Sequence, residues 1–203
     1  MRACLVEGLT ASTGNGTAAC SAGYFCDLGA RIADASCDTG DCTDLYGICP
    51  TGHTCELGFN VQPVKCPAGT FQAEMGQDHC DPCSAGFYCD GNGGQPVICP
   101  AGSYCPISTR YHNEFTCEIG TYSTQTGLDE QDDCVNCLEG HFCPTAGVGV
   151  AEADSECSPG YYCGGGSESA TPVNDTVGGV LMNDLCGAGK YCPSGSSAEI
   201  DCP

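Results

Sequence analysis

Apolar side chains along this chain come singly or in short clusters set against cysteines, and no apolar run extends beyond a few positions. The best candidate, Val177 to Met182, is broken by Gly178 and Gly179. One recurrent place, immediately before a cysteine, is aromatic in six of seven copies: Phe25, Tyr88, Tyr104, Phe142, Tyr162 and Tyr191, with Thr54 the exception. Such a pattern predicts short two-stranded ribbons and turns with little helix. Each ring is expected to lie over an adjacent disulfide and to supply most of its unit's apolar burial.

The cysteines bracketing these aromatics write one phrase seven times: CSAGYFC from Cys20, CPTGHTC from Cys49, CSAGFYC from Cys83, CPAGSYC from Cys99, CLEGHFC from Cys137, CSPGYYC from Cys157 and CGAGKYC from Cys186. A heptapeptide that recurs while the sequence between copies varies marks a repeat array defined by covalent staples. Its glycine (Gly23, Gly52, Gly86, Gly102, Gly140, Gly160, Gly189) suits a tight turn with positive φ, where a Cβ clashes. Prolines following cysteines stiffen the turn exits.

Composition sharpens this picture. With 22 cysteines in 203 residues, the chain exceeds the roughly 8–10 % at which a sequence reads as disulfide-built. It has 30 glycines and no tryptophan, so a single large core is not expected. The predicted class is a small disulfide-rich fold: an elongated tandem array of short β-hairpin or turn modules without a large hydrophobic core. Each bridge contributes about 2–4 kcal/mol by restricting the unfolded chain. Disulfides persist in oxidising compartments, which places the chain outside the cell or on its surface. The sequons at Asn15 and Asn174 are then glycan acceptors.

Twenty-six acidic residues against five basic ones give a net charge of -21. That field disfavours nucleic acid and anionic lipid as partners. The acidic stretch Leu128 to Asp133 lacks the spaced oxygen ligands of a calcium loop, so weak Ca²⁺ association is the most expected of it and no cofactor is assigned. The opening MRACLVEGLTASTGNG has no apolar signal core, and no segment approaches the roughly 20 apolar residues of a membrane helix. The expectation is therefore a mature chain or a fragment, without membrane insertion.

In register, the cysteines give two six-cysteine repeats, 66–116 and 117–185, between a divergent region 1–65 and a partial unit 186–203. The first carries Cys66, Cys80, Cys83, Cys89, Cys99 and Cys105; the second carries Cys117, Cys134, Cys137, Cys143, Cys157 and Cys163. Each opens with C-x-x-G-T-[FY], crosses a variable loop to C-x-x-C, and then carries two heptapeptides. This pattern resembles the Cys-rich repeats of the ephrin-receptor-like and tumour-necrosis-factor-receptor-like class, found in surface proteins of ciliates and algae, including those of flagellar hairs. The resemblance covers about residues 66–163. It implies the pairings Cys66–Cys80, Cys83–Cys99 and Cys89–Cys105, then Cys117–Cys134, Cys137–Cys157 and Cys143–Cys163, although six cysteines alone allow 15 connectivities.

Extended to the ends, the same frame closes Cys20–Cys49, Cys26–Cys55, Cys37–Cys42 and Cys186–Cys202, which leaves Cys4 and Cys192. Two copies abutting head to tail would then be joined by an intermolecular Cys192–Cys4 bridge, giving a filament. A longer natural chain, or a different pairing of these two cysteines, fits the sequence as well.

Catalytic patterns are weaker. His53 and His141 occupy a heptapeptide slot that varies freely, and His79 and His112 read as loop residues, none as a general base. The pairs Cys80–Cys83 and Cys134–Cys137 have zinc spacing, but recur at one place in each repeat among many other cysteines. The chain is read as no enzyme. Two functions remain: a structural subunit of an extracellular glycosylated fibre or appendage, partnered by copies of itself and by glycans, or the ligand-binding or adhesion ectodomain of a surface receptor.

Overall fold

A computed structural model of the chain describes residues 9–10, 19–20, 22–26, 46–57, 62–92, 95–149, 155–177 and 179–203. The chain divides into two compact units, one built from Met1–Cys83 with Cys89–Val97 and the other from Ser84–Tyr88 with Ile98–Pro203. In both, the described residues form tandem two-stranded hairpins and no α-helix, as the spacing of apolar positions predicts.

The recurrent unit is a single turn of C-x-x-G followed by two strand residues. The residue after the glycine donates its N–H to the carbonyl three positions back: His53 to Pro50, Thr70 to Pro67, Ser103 to Pro100, Thr121 to Glu118 and Tyr161 to Ser158, at 3.0–3.2 Å. That bond with positive φ at the third residue is the signature of a type II turn, the conformation that glycine adopts without steric cost. Gly102 has φ 78° and Gly160 has φ 91°.

After each turn the strand register is constant. The residue following the glycine pairs with the residue immediately before the next turn's cysteine: Tyr24 with Ile48, His53 with Lys65, Thr70 with Pro82, Thr121 with Asn136, Tyr161 with Leu185 and Lys190 with Asp201. Insertions therefore collect between the end of one strand and the start of its partner, and the pairing is untouched by their length. Each of the spans 66–116 and 117–185 encloses three such turns, beginning at Cys66, Cys83 and Cys99 and at Cys117, Cys137 and Cys157.

The longest insertion, 164–183, folds on itself. Its strand Asp175–Val177 pairs with Val180–Leu185, which also pairs with Tyr161–Cys163, making a three-stranded sheet with a register shift at Asp175/Thr176. Asn183 anchors it from a fully buried position, donating Nδ2 to the Asp175 carboxylate at 2.8 Å and to the Gly165 carbonyl at 3.3 Å.

Sulfur forms the interior. Among the described residues the buried apolar set is cysteine with Leu128, and Cys49, Cys55, Cys83, Cys99, Cys105, Cys117, Cys157 and Cys163 are wholly inaccessible. The rings before the second cysteines contribute less than expected. Phe25, Tyr88, Tyr104, Phe142 and Tyr162 are half-buried, and Tyr191 is exposed. In hairpins this thin, a cystine fills the space between the strands and leaves each ring one face to cover. Tyr104 lies against Phe115, with ring centroids 5.6 Å apart.

The bridges follow the turns. Cys66–Cys80 and Cys117–Cys134 form as the resemblance implies. The other expected pairings are corrected, because each described heptapeptide closes on itself: Cys49–Cys55, Cys83–Cys89, Cys99–Cys105, Cys137–Cys143, Cys157–Cys163 and Cys186–Cys192. Cys83–Cys99, Cys89–Cys105, Cys137–Cys157 and Cys143–Cys163 are thereby excluded, as are Cys20–Cys49, Cys26–Cys55 and Cys186–Cys202. The physical reason is the turn itself. It brings the first and seventh Cα atoms to 5.8–6.3 Å, inside the range a cystine spans without strain. Cys37–Cys42 lies outside the described residues.

A direct check is Asp-N digestion of the oxidised protein, which cuts before Asp90, between the heptapeptides at Cys83 and Cys99. The peptides carrying Cys99 and Cys105 are expected to separate from those carrying Cys83 and Cys89 without reductant. Co-migration of the two until reduction would restore the crossed pairing.

Candidate functional site

Side chains vary from turn to turn, and what persists is a ladder of main-chain bonds that sets one turn on the next. Each turn glycine accepts at its carbonyl from the next turn's first cysteine: Cys66 N–H to Gly52, Cys83 to Gly69, Cys99 to Gly86, Cys117 to Gly102, Cys137 to Gly120, Cys157 to Gly140 and Cys186 to Gly160, at 2.8–2.9 Å. The same glycine donates to the carbonyl at the next turn's seventh position, as in Gly86 to Cys105, Gly120 to Cys143, Gly140 to Cys163 and Gly160 to Cys192. Where the seventh residue is not cysteine, Gln72 and Ser123 take its place, accepting from Gly52 and Gly102. Both are almost fully buried.

A second glycine, in the loop following a turn, locks three turns together. Gly127 donates to Cys99 O at 2.8 Å, Gly147 to Cys117 O at 2.9 Å, Gly166 to Cys137 O at 2.9 Å and Gly195 to Cys157 O at 2.9 Å, all in the unit containing Ile98–Pro203. The residue after it accepts from the seventh position of that turn: Leu128 from Cys105, Val148 from Ser123, Ser167 from Cys143 and Ser196 from Cys163. Its carbonyl lies where a side chain would project from the turn before, 2.7 Å from the Cβ position of Gly86 for Gly127 and 2.6 Å from that of Gly120 for Gly166. In the other unit Gly76 does the same against Cys49 and Gly23. These loop glycines carry positive φ and went unremarked in the sequence because their distance from the cysteine varies. The recurring signal is a glycine three or four residues beyond the seventh position.

The side chains singled out as candidate chemistry are dispersed. His53 and His141 occupy equivalent hairpin positions, with Nδ1 at 3.0 Å and 3.1 Å from the carbonyls of Thr51 and Glu139. His112 tilts against Tyr88 with centroids 5.7 Å apart. His79 sits between two carboxylates, 2.7 Å from Asp78 and 3.6 Å from Asp81. The Asp78 hydrogen bond raises the His79 pKa above its ordinary value, and the same bond lowers that of Asp78. In an NMR titration His79 is expected to lose its proton at higher pH than an isolated histidine, and Asp78→Asn to return it toward the ordinary value. Because the folded pKa is raised, the pair's contribution is present below the unfolded value and lost as pH rises through the folded one. An unchanged His79 midpoint in the variant would refute the pairing. Solvent exposure of both groups keeps the effect on stability small.

Arg110 and Glu114 form an ion pair with two guanidinium contacts to Oε1, at 2.6 Å and 3.0 Å, and the Arg110 N–H donates to Oε2 at 2.8 Å. The Arg110 hydrogen bonds hold Glu114 below the usual carboxylate range. This pins the 106–116 loop, where Ser108 has φ 66° and Thr109 is buried and donates to Pro106 O. The acidic stretch is partly a 3₁₀ turn at Gln131–Asp133, whose Asp133 carboxylate accepts the Glu130 N–H at 3.4 Å. Among the described residues no three acidic, cysteine or histidine side chains gather as a metal ligand set. Cys80, Cys83, Cys134 and Cys137 are each consumed in cystines.

Of the modification sites, Asn174 is exposed, with φ 52°, at the entry to the strand Asp175–Val177. Its N–H is held by Asp184 at 3.1 Å, and Thr176 of its sequon is exposed. Asn15 and Cys4 lie outside the described residues. Cys192 is paired with Cys186 and almost fully buried, which removes it from the expected Cys192–Cys4 joint. Cys202 is the free, exposed thiol among the described residues.

No protein-family model matches the chain. It is similar to the putative white-brown complex homolog protein 30 of Arabidopsis thaliana, 29% identical over 126 residues, which are 61% of this chain and 9% of that protein. It is also similar to ABC transporter G family member 25 of Oryza sativa subsp. japonica, 31% identical over 101 residues, 44% of this chain and 10% of that one. A third likeness is to the ABC-type transporter claG of Penicillium crustosum, 29% identical over 115 residues, 50% of this chain and 14% of that protein. The chain thus spans about a tenth of the length of these curated relatives, and the likeness is that of a segment.

Proposed function

We propose that the chain is a structural element of an extracellular glycosylated fibre or appendage, with no catalytic role. The observation that carries this reading is the invariant main-chain ladder. It fixes one turn on the next whatever the side chains and loop lengths between them, so the conserved feature is a repeat geometry and not a chemical constellation. Covalent closure of each turn suits an oxidising compartment, and the exposed Asn174 sequon offers a glycan site on the side of one such turn. Its partners are then copies of itself and glycans.

A second reading rests on the loops of varying length that the fixed strand register carries: the array is the ligand-binding or adhesion ectodomain of a cell-surface receptor, presenting those loops to a ligand. Both readings are tested by labelling intact cells with antibody to residues 98–203, then extracting with and without detergent. The first expects decoration of fibrous material, a detergent-independent fraction, and mass lost from the Asn174 peptide on N-glycosidase treatment. Recovery only in detergent, as a polypeptide several times longer, supports the second. Absence of surface labelling sinks both.

A further inference from the structure

The described bridges are of two kinds. Six close a turn on itself, while Cys66–Cys80 and Cys117–Cys134 leave the turn and enclose the loop that follows it. Those two loops carry Gly76 and Gly127, which dock onto earlier turns. Gly76 donates to Cys49 O at 2.8 Å, and the next residue, Gln77, accepts from Cys55 N–H at 3.0 Å. Gly127 donates to Cys99 O and Leu128 accepts from Cys105 N–H, both at 2.8 Å. These two bridges therefore staple the lock between turns, and the other six staple the turns themselves.

Accessibility separates the same two kinds. Among the cysteines of the described bridges, Cys80, Cys134 and Cys186 are part-exposed and all the others are buried. Cys186 belongs to a turn closed on itself, so opening its bridge frees no loop. The turns at Cys66 and Cys117 also keep their place without a seventh cysteine, because the carbonyls of buried Gln72 and Ser123 accept from Gly52 and Gly102.

We infer that Cys66–Cys80 and Cys117–Cys134 are thiol-reactive bridges whose reversible reduction loosens the docking of Gly76 and Gly127 while the turns stay stapled. A thiolate attacks Sγ of the part-exposed Cys80, forming a mixed disulfide and expelling Cys66 as a thiolate that takes up a proton. A second thiolate attacks the outer sulfur of that mixed disulfide. Cys80 then leaves as a thiolate and is protonated, and the two small thiols depart as one disulfide. The bridge has gained two electrons and two protons, and the two thiols have lost them. Cys134 is the point of entry at the other bridge.

Charge selects the thiol. Asp78 and Asp81 flank Cys80, and Asp132 and Asp133 precede Cys134, in a chain of net charge -21. An anionic thiol such as glutathione is repelled at both entry points, whereas a cationic aminothiol is drawn in.

The test is differential alkylation of the oxidised full chain under limiting reductant, with cysteamine and glutathione as probes at equal thiolate concentration and the sites read by peptide mass spectrometry. With cysteamine, Cys66, Cys80, Cys117 and Cys134 should be labelled about tenfold or more faster than the cysteines of the turns at Cys83, Cys99, Cys137 and Cys157, since exchange follows access to sulfur. Glutathione should open the same bridges more slowly, the gap narrowing as salt screens the acidic field. Once both bridges are open, Gly76 and Gly127 N–H should exchange faster, whereas Cys157 N–H keeps its protection. Labelling that begins at those four turns, or runs evenly across all bridges, overturns the inference. Unchanged exchange at Gly76 and Gly127 after the bridges open also overturns it, because the bridges would then have no hold on the docking. Faster opening by glutathione overturns the choice of thiol.

Discussion

Reduction and alkylation of the cysteines is expected to abolish the fold outright, with loss of slow-exchanging amides across both units and a far-ultraviolet spectrum of an unordered chain. The interior contains little that survives the loss of cystine: the buried apolar residues among those described are cysteines and Leu128, and the aromatic rings are half-exposed. A loop of seven residues contributes about 2.5 kcal/mol in the chain-entropy account, and the longer Cys66–Cys80 and Cys117–Cys134 loops about 3 kcal/mol each. Eight described bridges of this size outweigh the roughly 5–15 kcal/mol that holds an ordinary domain. Persistence of protected amides in the reduced, alkylated chain would show that the hydrogen-bond ladder stands without its staples.

The second large effect separates two glycines with nearly the same backbone. Gly120→Ala and Gly160→Ala both force a Cβ onto a residue with positive φ, 77° and 91° respectively, which costs about 1–2 kcal/mol. At Gly120 the new methyl also meets the Gly166 carbonyl oxygen at 2.6 Å, so backbone must move, adding about 1–3 kcal/mol of overpacking. At Gly160 it meets nothing within 4 Å. The denaturation midpoint under non-reducing conditions should fall markedly further for Gly120→Ala, with faster exchange of Cys137 and Cys143 N–H. Equal midpoints would mean that the covering carbonyl contributes nothing to the stability of the stack.

Much of this was legible in the residues. The turn glycines announced their positive φ by standing three residues after a cysteine, and the absence of apolar runs announced ribbons in place of a core. The heptapeptide bridges were not read correctly, because a list of six cysteines does not say which are close. One signal was nevertheless present. The phrases from Cys66 and Cys117 carry Gln72 and Ser123 at the seventh place, and each is followed by one additional cysteine, Cys80 or Cys134, ahead of the next turn. Where the seventh cysteine is missing, the first finds another partner, so the first and seventh are each other's partner elsewhere. The loop glycines stayed hidden for a different reason. Their role depends on contact with the turns one and two places earlier in the array, which no local spacing encodes. The long 164–183 insertion was likewise opaque, since its folding rests on Asn183 reaching back to Gly165 and Asp175.

Local closure of the staples decides what a protease can do. Had the bridges crossed from one heptapeptide to the next, a cut in any intervening loop would have left the pieces tied by sulfur. With six of the described bridges closing inside their own turn, a nick in the Asp90–Ile98 segment severs the covalent thread between the Cys83 and Cys99 turns. The stretches spanned by Cys66–Cys80 and Cys117–Cys134 are the exceptions, the places where the strand may be cut and still not part.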